Sequence, residues 1–207
     1  MKKLIVGIFL VQIVILVALG IPAGGAANAI WKDDQSGIVV RQDNPGNTVE
    51  SYYHLLDQES YDAAVLLFEK VVQENINGDL LRASQEYNGL INAKLVKVVP
   101  SSVIGDYAIV ALIQILESAP EQPAISLVTL RQSEGKWEIV HDMNNPELDV
   151  IKQVFERAVE VCQKITKEPF TGLTEEQRAN LIVQAEMGGQ YIAGNLAQIN
   201  EMMKSQK

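Results

Sequence analysis

The sequence predicts an α+β fold, with helices first, an antiparallel sheet next and a C-terminal antiparallel helical hairpin last. Three observations support it. Apolar residues recur at helical spacing between residues 48 and 87, runs rich in Val, Ile and Leu occupy residues 91 to 142, and from Leu148 onward apolar positions alternate steps of three and four.

The chain opens with Lys2 and Lys3, an uncharged apolar run from Leu4 to Leu19, and then Pro22, Gly24, Gly25 and Ala27-Asn28-Ala29. This order reads as a secretory signal peptide over residues 1–29, cut between Ala29 and Ile30, because a signal peptidase needs small side chains one and three residues before the cut. The alternative is an uncleaved anchor over residues 4–21, whose apolar length approaches that of a bilayer span. In both cases the basic start stays cytoplasmic and the remaining chain crosses. The expected location is secreted or periplasmic, with the membrane involved only if the segment is retained. A lipoprotein is disfavoured, since Cys162 is the single cysteine.

At 207 residues the chain suits one domain with an accessory element. Its formal charge is −9, and loss of the presequence removes two lysines and no acids, which makes the remainder more acidic still. Nucleic acid and anionic lipid are poor partners for such a body. A single cysteine cannot form an internal disulfide, so packing must hold the fold. Cys162 reads as a small buried apolar residue, and an intermolecular disulfide would require it to be exposed.

Residues 30–46 read as a linker, rich in Asp, Gly and Pro apart from Ile38, Val39 and Val40. Asn47, with Glu50 three residues on, caps a first helix over 48–57. Ser60 caps a second, in which Tyr61, Ala64, Leu67, Phe68, Val71 and Val72 share a face until Gly78 stops it; Asp79 opens a short third helix to about Tyr87. Strands follow over 91–99, 103–116, 124–132 and 136–142, the last two joined by a hairpin in which Gly135 supplies a positive φ. In the 103–116 strand both faces are apolar, so each side of the sheet needs a cover.

Asn145 and Pro146 then open a helix whose residues Leu148, Ile151, Phe155, Ala158, Cys162 and Ile165 draw one seam. Thr174 and Gln177 form a capping box for a last helix carrying Leu181, Ala185, Gly188, Ile192, Leu196, Ile199 and Met203. A short loop between two helices favours antiparallel packing. Gly188 and Gly189 fit a close helix contact.

The stretches Tyr52-Tyr53-His54-Leu55-Leu56-Asp57 and Ser60-Tyr61-Asp62-Ala63-Ala64-Val65-Leu66-Leu67-Phe68 come first. Strands ending Leu127-Val128-Thr129-Leu130-Arg131 and Gly135-Lys136-Trp137-Glu138-Ile139-Val140 follow them. In that order they resemble the nuclear transport factor 2-like superfamily, the ketosteroid-isomerase-like, cystatin-like cone, in its secreted bacterial type. The resemblance, carried over roughly Asn47 to Asp142, implies a curved antiparallel sheet wrapped on the N-terminal helices as a cone with a pocket at its wide end, in a domain bounded at 47–145; the helical hairpin at 146–207 follows from its own apolar spacing. It implies no single activity, because the superfamily holds isomerases, dehydratases, cyclases and noncatalytic domains.

An isomerase-like site would need a carboxylate base and a Tyr or neutral acid in an apolar pocket. The available parts are Tyr52, Tyr53, Asp57, Tyr107, His141 and Asp142, and none aligns with a catalytic position, so the catalytic residues stay unknown. Pocket candidates are Tyr52, Tyr53, Tyr107, Trp137 and His141; the alternative is that Trp137 fills the core and His141 bonds a neighbour. His54 beside Asp57 resembles a base with its orienting acid, or simply an exposed polar pair.

Only His54 and His141 accompany the lone Cys162, and no ligand pair has zinc spacing, so neither a metal nor a cofactor is expected. Gly-rich phosphate loop, nucleophile elbow and HExxH are all lacking. The expected function is an exported, noncatalytic binding or interaction domain, with a homodimer, a cell-envelope protein or a small apolar ligand as partner. The alternative is an isomerase or cyclase-type enzyme, or a carrier, that uses the cone pocket.

Overall fold

A computed structural model describes residues 29–103, 105–140 and 148–205. The expected signal segment, His141, Asp142 and the cap at Asn145-Pro146 lie outside the described residues. No helix among the described residues is long and apolar enough to cross a membrane.

The architecture is α+β, with a curled four-stranded antiparallel sheet and two long C-terminal helices. The stretch expected to be a linker instead forms a small hairpin of β1 (Ile30–Lys32) and β2 (Val39–Arg41), with Val40 fully buried. Gln42 then joins this hairpin to the main sheet: its carbonyl accepts from Trp137 N at 2.8 Å and its amide donates to Trp137 O at 2.9 Å. Asp and Gly make the turn, yet Val40, with Trp31 and Ile38 packed against the same cluster, is enough to anchor it.

Helix α1 (Pro45–Asp57) starts earlier than Asn47 suggests. Asn44 is the cap, accepting from Asn47 N at 2.9 Å, and Pro45 takes the first helical position, where a missing N–H is harmless. The second helix of the sequence reading is broken in two, α2 (Tyr61–Val65) and α3 (Lys70–Gln73). Residues 67–69 are drawn out of the helix to pair with the sheet, where Leu67 O accepts from Ile139 N at 2.7 Å and Glu69 N donates to Ile139 O at 3.1 Å. Gly78 does not stop a helix. It begins α4 (Gly78–Tyr87), capped by Asn77, whose side chain accepts from Leu80 N at 2.9 Å.

Strands β3 (Lys94–Pro100), β4 (Tyr107–Ile115), β5 (Pro123–Ser133) and β6 (Lys136–Ile139) form a meander in sequence order, with a register shift between Leu95 and Lys97 that bends the edge strand. The β5–β6 turn follows expectation: Glu134 and Gly135 both have positive φ, 51° and 80°. Alternation along β4 divides the core. Ala108, Val110 and Leu112 join a cluster with Val49, Leu55, Leu67 and Trp137 from the N-terminal side, whereas Ile109, Ala111 and Ile113 join the C-terminal helices. Both faces of this strand are thus covered, which accounts for its uninterrupted apolar run.

Helices α5 (Leu148–Lys167) and α6 (Glu175–Ser205) pack on each other and on the sheet. Ala158, Cys162 and Ile165 of the expected seam are buried, but so are Val154 and Val161, because the helix faces β4 as well as α6 and needs a wider apolar face. The capping box is present: Gln177 N donates to Thr174 Oγ1 at 3.2 Å, and Thr174 N donates to Gln177 Oε1 at 2.9 Å. A Cβ at Gly189 would lie 3.2 Å from Cys162 Cβ, the close contact that its glycine permits. Cys162 is 4% exposed, which removes the condition for an intermolecular disulfide.

Candidate functional site

The five pocket candidates do not converge. Tyr52 and Trp137 belong to the N-terminal cluster, where Tyr52 meets Phe68 edge-on at 5.5 Å and Trp137 is 4% exposed, so both serve the core. Tyr53 packs against the same cluster. Tyr107 has the parity of Ile109 and Ile113 and packs on the opposite face of the sheet, with the C-terminal helices. His141 lies outside the described residues. His54 faces Glu50, with Nε2 4.0 Å from its carboxylate, rather than Asp57.

The face of the sheet toward the N-terminal helices is filled by Leu55, Leu67, Phe68, Leu130 and Trp137. A cavity of about 70 Å³ lies where the last turn of α1, the start of α2, the α4–β3 loop and the end of β4 meet. Helical spacing places Tyr53, Leu56 and Asp57 along its α1 wall. Glu59, held at φ 55°, ends that helix and turns the chain so that Tyr61 forms the adjoining wall. Leu90, Ile91 and Asn92 close the far side from a loop shaped by positive φ at Gly89 and Asn92.

The floor is Gln114. Two residues beyond Leu112, it continues the inward face of β4 and is 5% exposed, and no described residue hydrogen-bonds its carboxamide. Tyr53 is the opposite case, because its hydroxyl donates to Ala93 O and accepts from Leu95 N at 2.9 Å, which ties α1 to the start of β3. Burial raises the pKa of Tyr52, Tyr53 and Tyr61 alike, so these hydroxyls stay protonated.

Asp57 and Glu59 are the charged residues of the lining, and no Lys, Arg or His accompanies them. No group of three or more His, Cys, Asp or Glu that could hold a metal occurs among the described residues. Sequence reasoning missed Glu59, Tyr61, Asn92 and Gln114 as site residues. The available signal was Gln114, a single polar residue at the inward position of the alternation Ala108, Val110, Leu112.

Two further polar clusters are structural. Glu69, with a 7% exposed side chain, pairs with Arg131 at 2.8 Å beside the Leu67–Ile139 junction. Lys97 pairs with Glu168 and sits 5.4 Å over the ring of Phe170, which fastens the α5–α6 loop to β3. A shallow depression of about 220 Å³ beside it, lined by Lys164, Lys167, Glu168 and Pro169, is open to solvent.

No protein-family model matches the chain, and no curated protein matches it. Among solved structures it is similar to a SEC-C motif containing protein from Rhodopseudomonas palustris, at 19% identity and a TM-score of 0.39 over 48% of this chain and 77% of that one. A likeness of that degree carries no argument about fold or function.

Proposed function

We propose that this chain is an exported, noncatalytic binding or interaction domain of the cell envelope or extracellular space. In this reading the sheet and N-terminal helices form a nuclear transport factor 2-like cone, and α5 and α6 form an antiparallel hairpin that covers its outer face. The observation that carries it is the filled cluster between the sheet and the N-terminal helices: Leu55, Leu67 and Leu130 are fully buried and Trp137 nearly so, and they occupy the volume an interior substrate pocket would need. An isomerase or cyclase calls for a cavity of roughly 300–1,000 Å³ around its reacting groups.

Export rests on the basic, apolar and small-residue order of residues 1–29. A cut after Ala29 would leave Ile30 as the first residue of β1 and remove the Ala29 carbonyl that accepts from Gln42 N at 2.6 Å. Cell fractionation followed by N-terminal sequencing tests the reading. An extracytoplasmic protein beginning at Ile30 supports it; a membrane-bound protein beginning at Met1 supports the anchored alternative; a cytosolic protein beginning at Met1 overturns export. A crystal structure with a substrate-sized molecule in the space now filled by Leu67, Leu130 and Trp137 would overturn the noncatalytic part.

A further inference from the structure

The cavity over Gln114 has a floor, a rim and walls of different chemistry, and together they select a ligand. The floor is the carboxamide, nearly buried and without a partner among the described residues, which can offer its oxygen to a donor. The rim carries Asp57 and Glu59 with no opposing cation in the lining. Arg82, on the neighbouring helix, is engaged by Glu86 at 3.1 Å and does not line the space. The walls are the side chains of Leu56 and Leu90 and the ring of Tyr61.

Each feature removes a class of ligand. Two carboxylates without a basic partner repel phosphates, sulfates and carboxylic acids. Divalent cations take six or more oxygen ligands, with several carboxylates or carbonyls among them, and the described residues contain no cluster of acidic groups of that size. Long apolar ligands do not fit about 70 Å³, a volume that suits a few waters at roughly 30 Å³ each. An ammonium group on a short carbon chain meets every requirement: N–H donors for Gln114 and the two acids, positive charge for the rim, and methylenes for Leu56, Leu90 and the tyrosine face.

We propose that this cavity binds the protonated primary amine end of a small molecule, with Gln114 accepting from the ammonium at the floor and Asp57 and Glu59 holding its charge at the rim. The inference rests on the binding-domain reading and narrows its ligand from a small apolar molecule to an organic cation whose remaining atoms leave through the mouth. Gln114 supplies specificity, since a carboxamide oxygen at the floor rewards a donor and gives nothing to a methyl group of the same size.

The test is a titration of the isotope-labelled full chain with n-propylammonium chloride, and separately with sodium propionate, 1-propanol and calcium chloride at matched ionic strength. The side-chain NH₂ signals of Gln114, identified by their loss in Gln114→Leu, are followed by NMR. Propylammonium is expected to shift them saturably in the millimolar range, and Asp57→Asn with Glu59→Gln to weaken the effect by about tenfold. Both substitutions are at exposed positions, and an unchanged amide spectrum elsewhere verifies the fold of the variant. No saturation up to about 100 mM, an equal response to propionate or propanol, a saturable response to calcium alone, or indifference to the double substitution would each overturn the proposal. A negative titration of a protein whose N-terminus is Ile30 outside the cytoplasm discards this ligand and leaves the exported-domain reading standing.

Discussion

Gly78 N–H donates to Asp62 Oδ1 at 3.0 Å, and a Cβ built on Gly78 would stand 2.8 Å from the backbone nitrogen of Asp62. The start of α4 therefore rests directly on the start of α2, with no room for a side chain between them.

Gly78→Ala should destabilise the protein by about 1–3 kcal/mol, although alanine is the better helix former, because backbone must move to admit the methyl group. Gly194→Ala is the control with the opposite sign. Nothing lies within 4 Å of its added Cβ inside α6, so it should stabilise by about 0.5–1 kcal/mol. Urea midpoints of the two variants measure both effects.

Tyr53→Phe removes a hydroxyl that serves both Ala93 O and Leu95 N, and should cost about 1–3 kcal/mol. Tyr52→Phe should change stability by less than about 0.5 kcal/mol, since the Tyr52 hydroxyl has no partner among the described residues and its ring contact with Phe68 survives. Thermal melting separates the two, and faster amide exchange at Leu95 should accompany only the first.

Glu160 fastens α5 to the chain just after β3, accepting from Ser102 N at 2.8 Å and Ser102 Oγ at 2.7 Å while Arg157 and Lys164 approach at 2.6 and 3.0 Å. Desolvation alone would raise its pKa; the hydrogen bonds from Ser102, Lys164 and Arg157 outweigh it and hold the pKa down at about 2. The folded value lies below the unfolded one, so this stabilisation is complete above the ordinary 4.5 and disappears as pH falls through about 2. Glu160→Gln should therefore lower stability at pH 7, with the deficit against the parent protein shrinking between pH 4.5 and 2 in denaturant titrations.

Burial pushes the Cys162 thiol up to about 11. The native protein at pH 8 should resist iodoacetamide for hours and be alkylated rapidly in denaturant, as followed by mass spectrometry. Alkylation at the same rate in both conditions would mean that the α5–α6 contact at Gly189 opens freely.

Much of this fold was legible because local signals and burial agree. The β4 alternation, the Glu134-Gly135 turn and the Thr174–Gln177 box each depend on residues close in sequence, and each is found where expected. The errors arose where distant chain intervenes. Leu67 and Phe68 have helical spacing with Ala64, Val71 and Val72 but leave the helix to meet Ile139, about seventy residues on, and Val40 joins the core beside Gln42, which reaches Trp137. The site was less legible than the fold: Tyr53 lines the cavity, but Tyr52 and Trp137 are aromatic for packing, and the informative residue was the amide that interrupts an apolar row.

Ala108, Val110 and Leu112 touch one oily layer and Ile109, Ala111 and Ile113 the other, so β4 is a party wall shared by two rooms. Whatever grips the molecule at Gln114, at one end of that wall, also bears on the helices leaning against its far side. Both rooms must part before that wall can open, so the amides of β4 should exchange among the slowest in the protein.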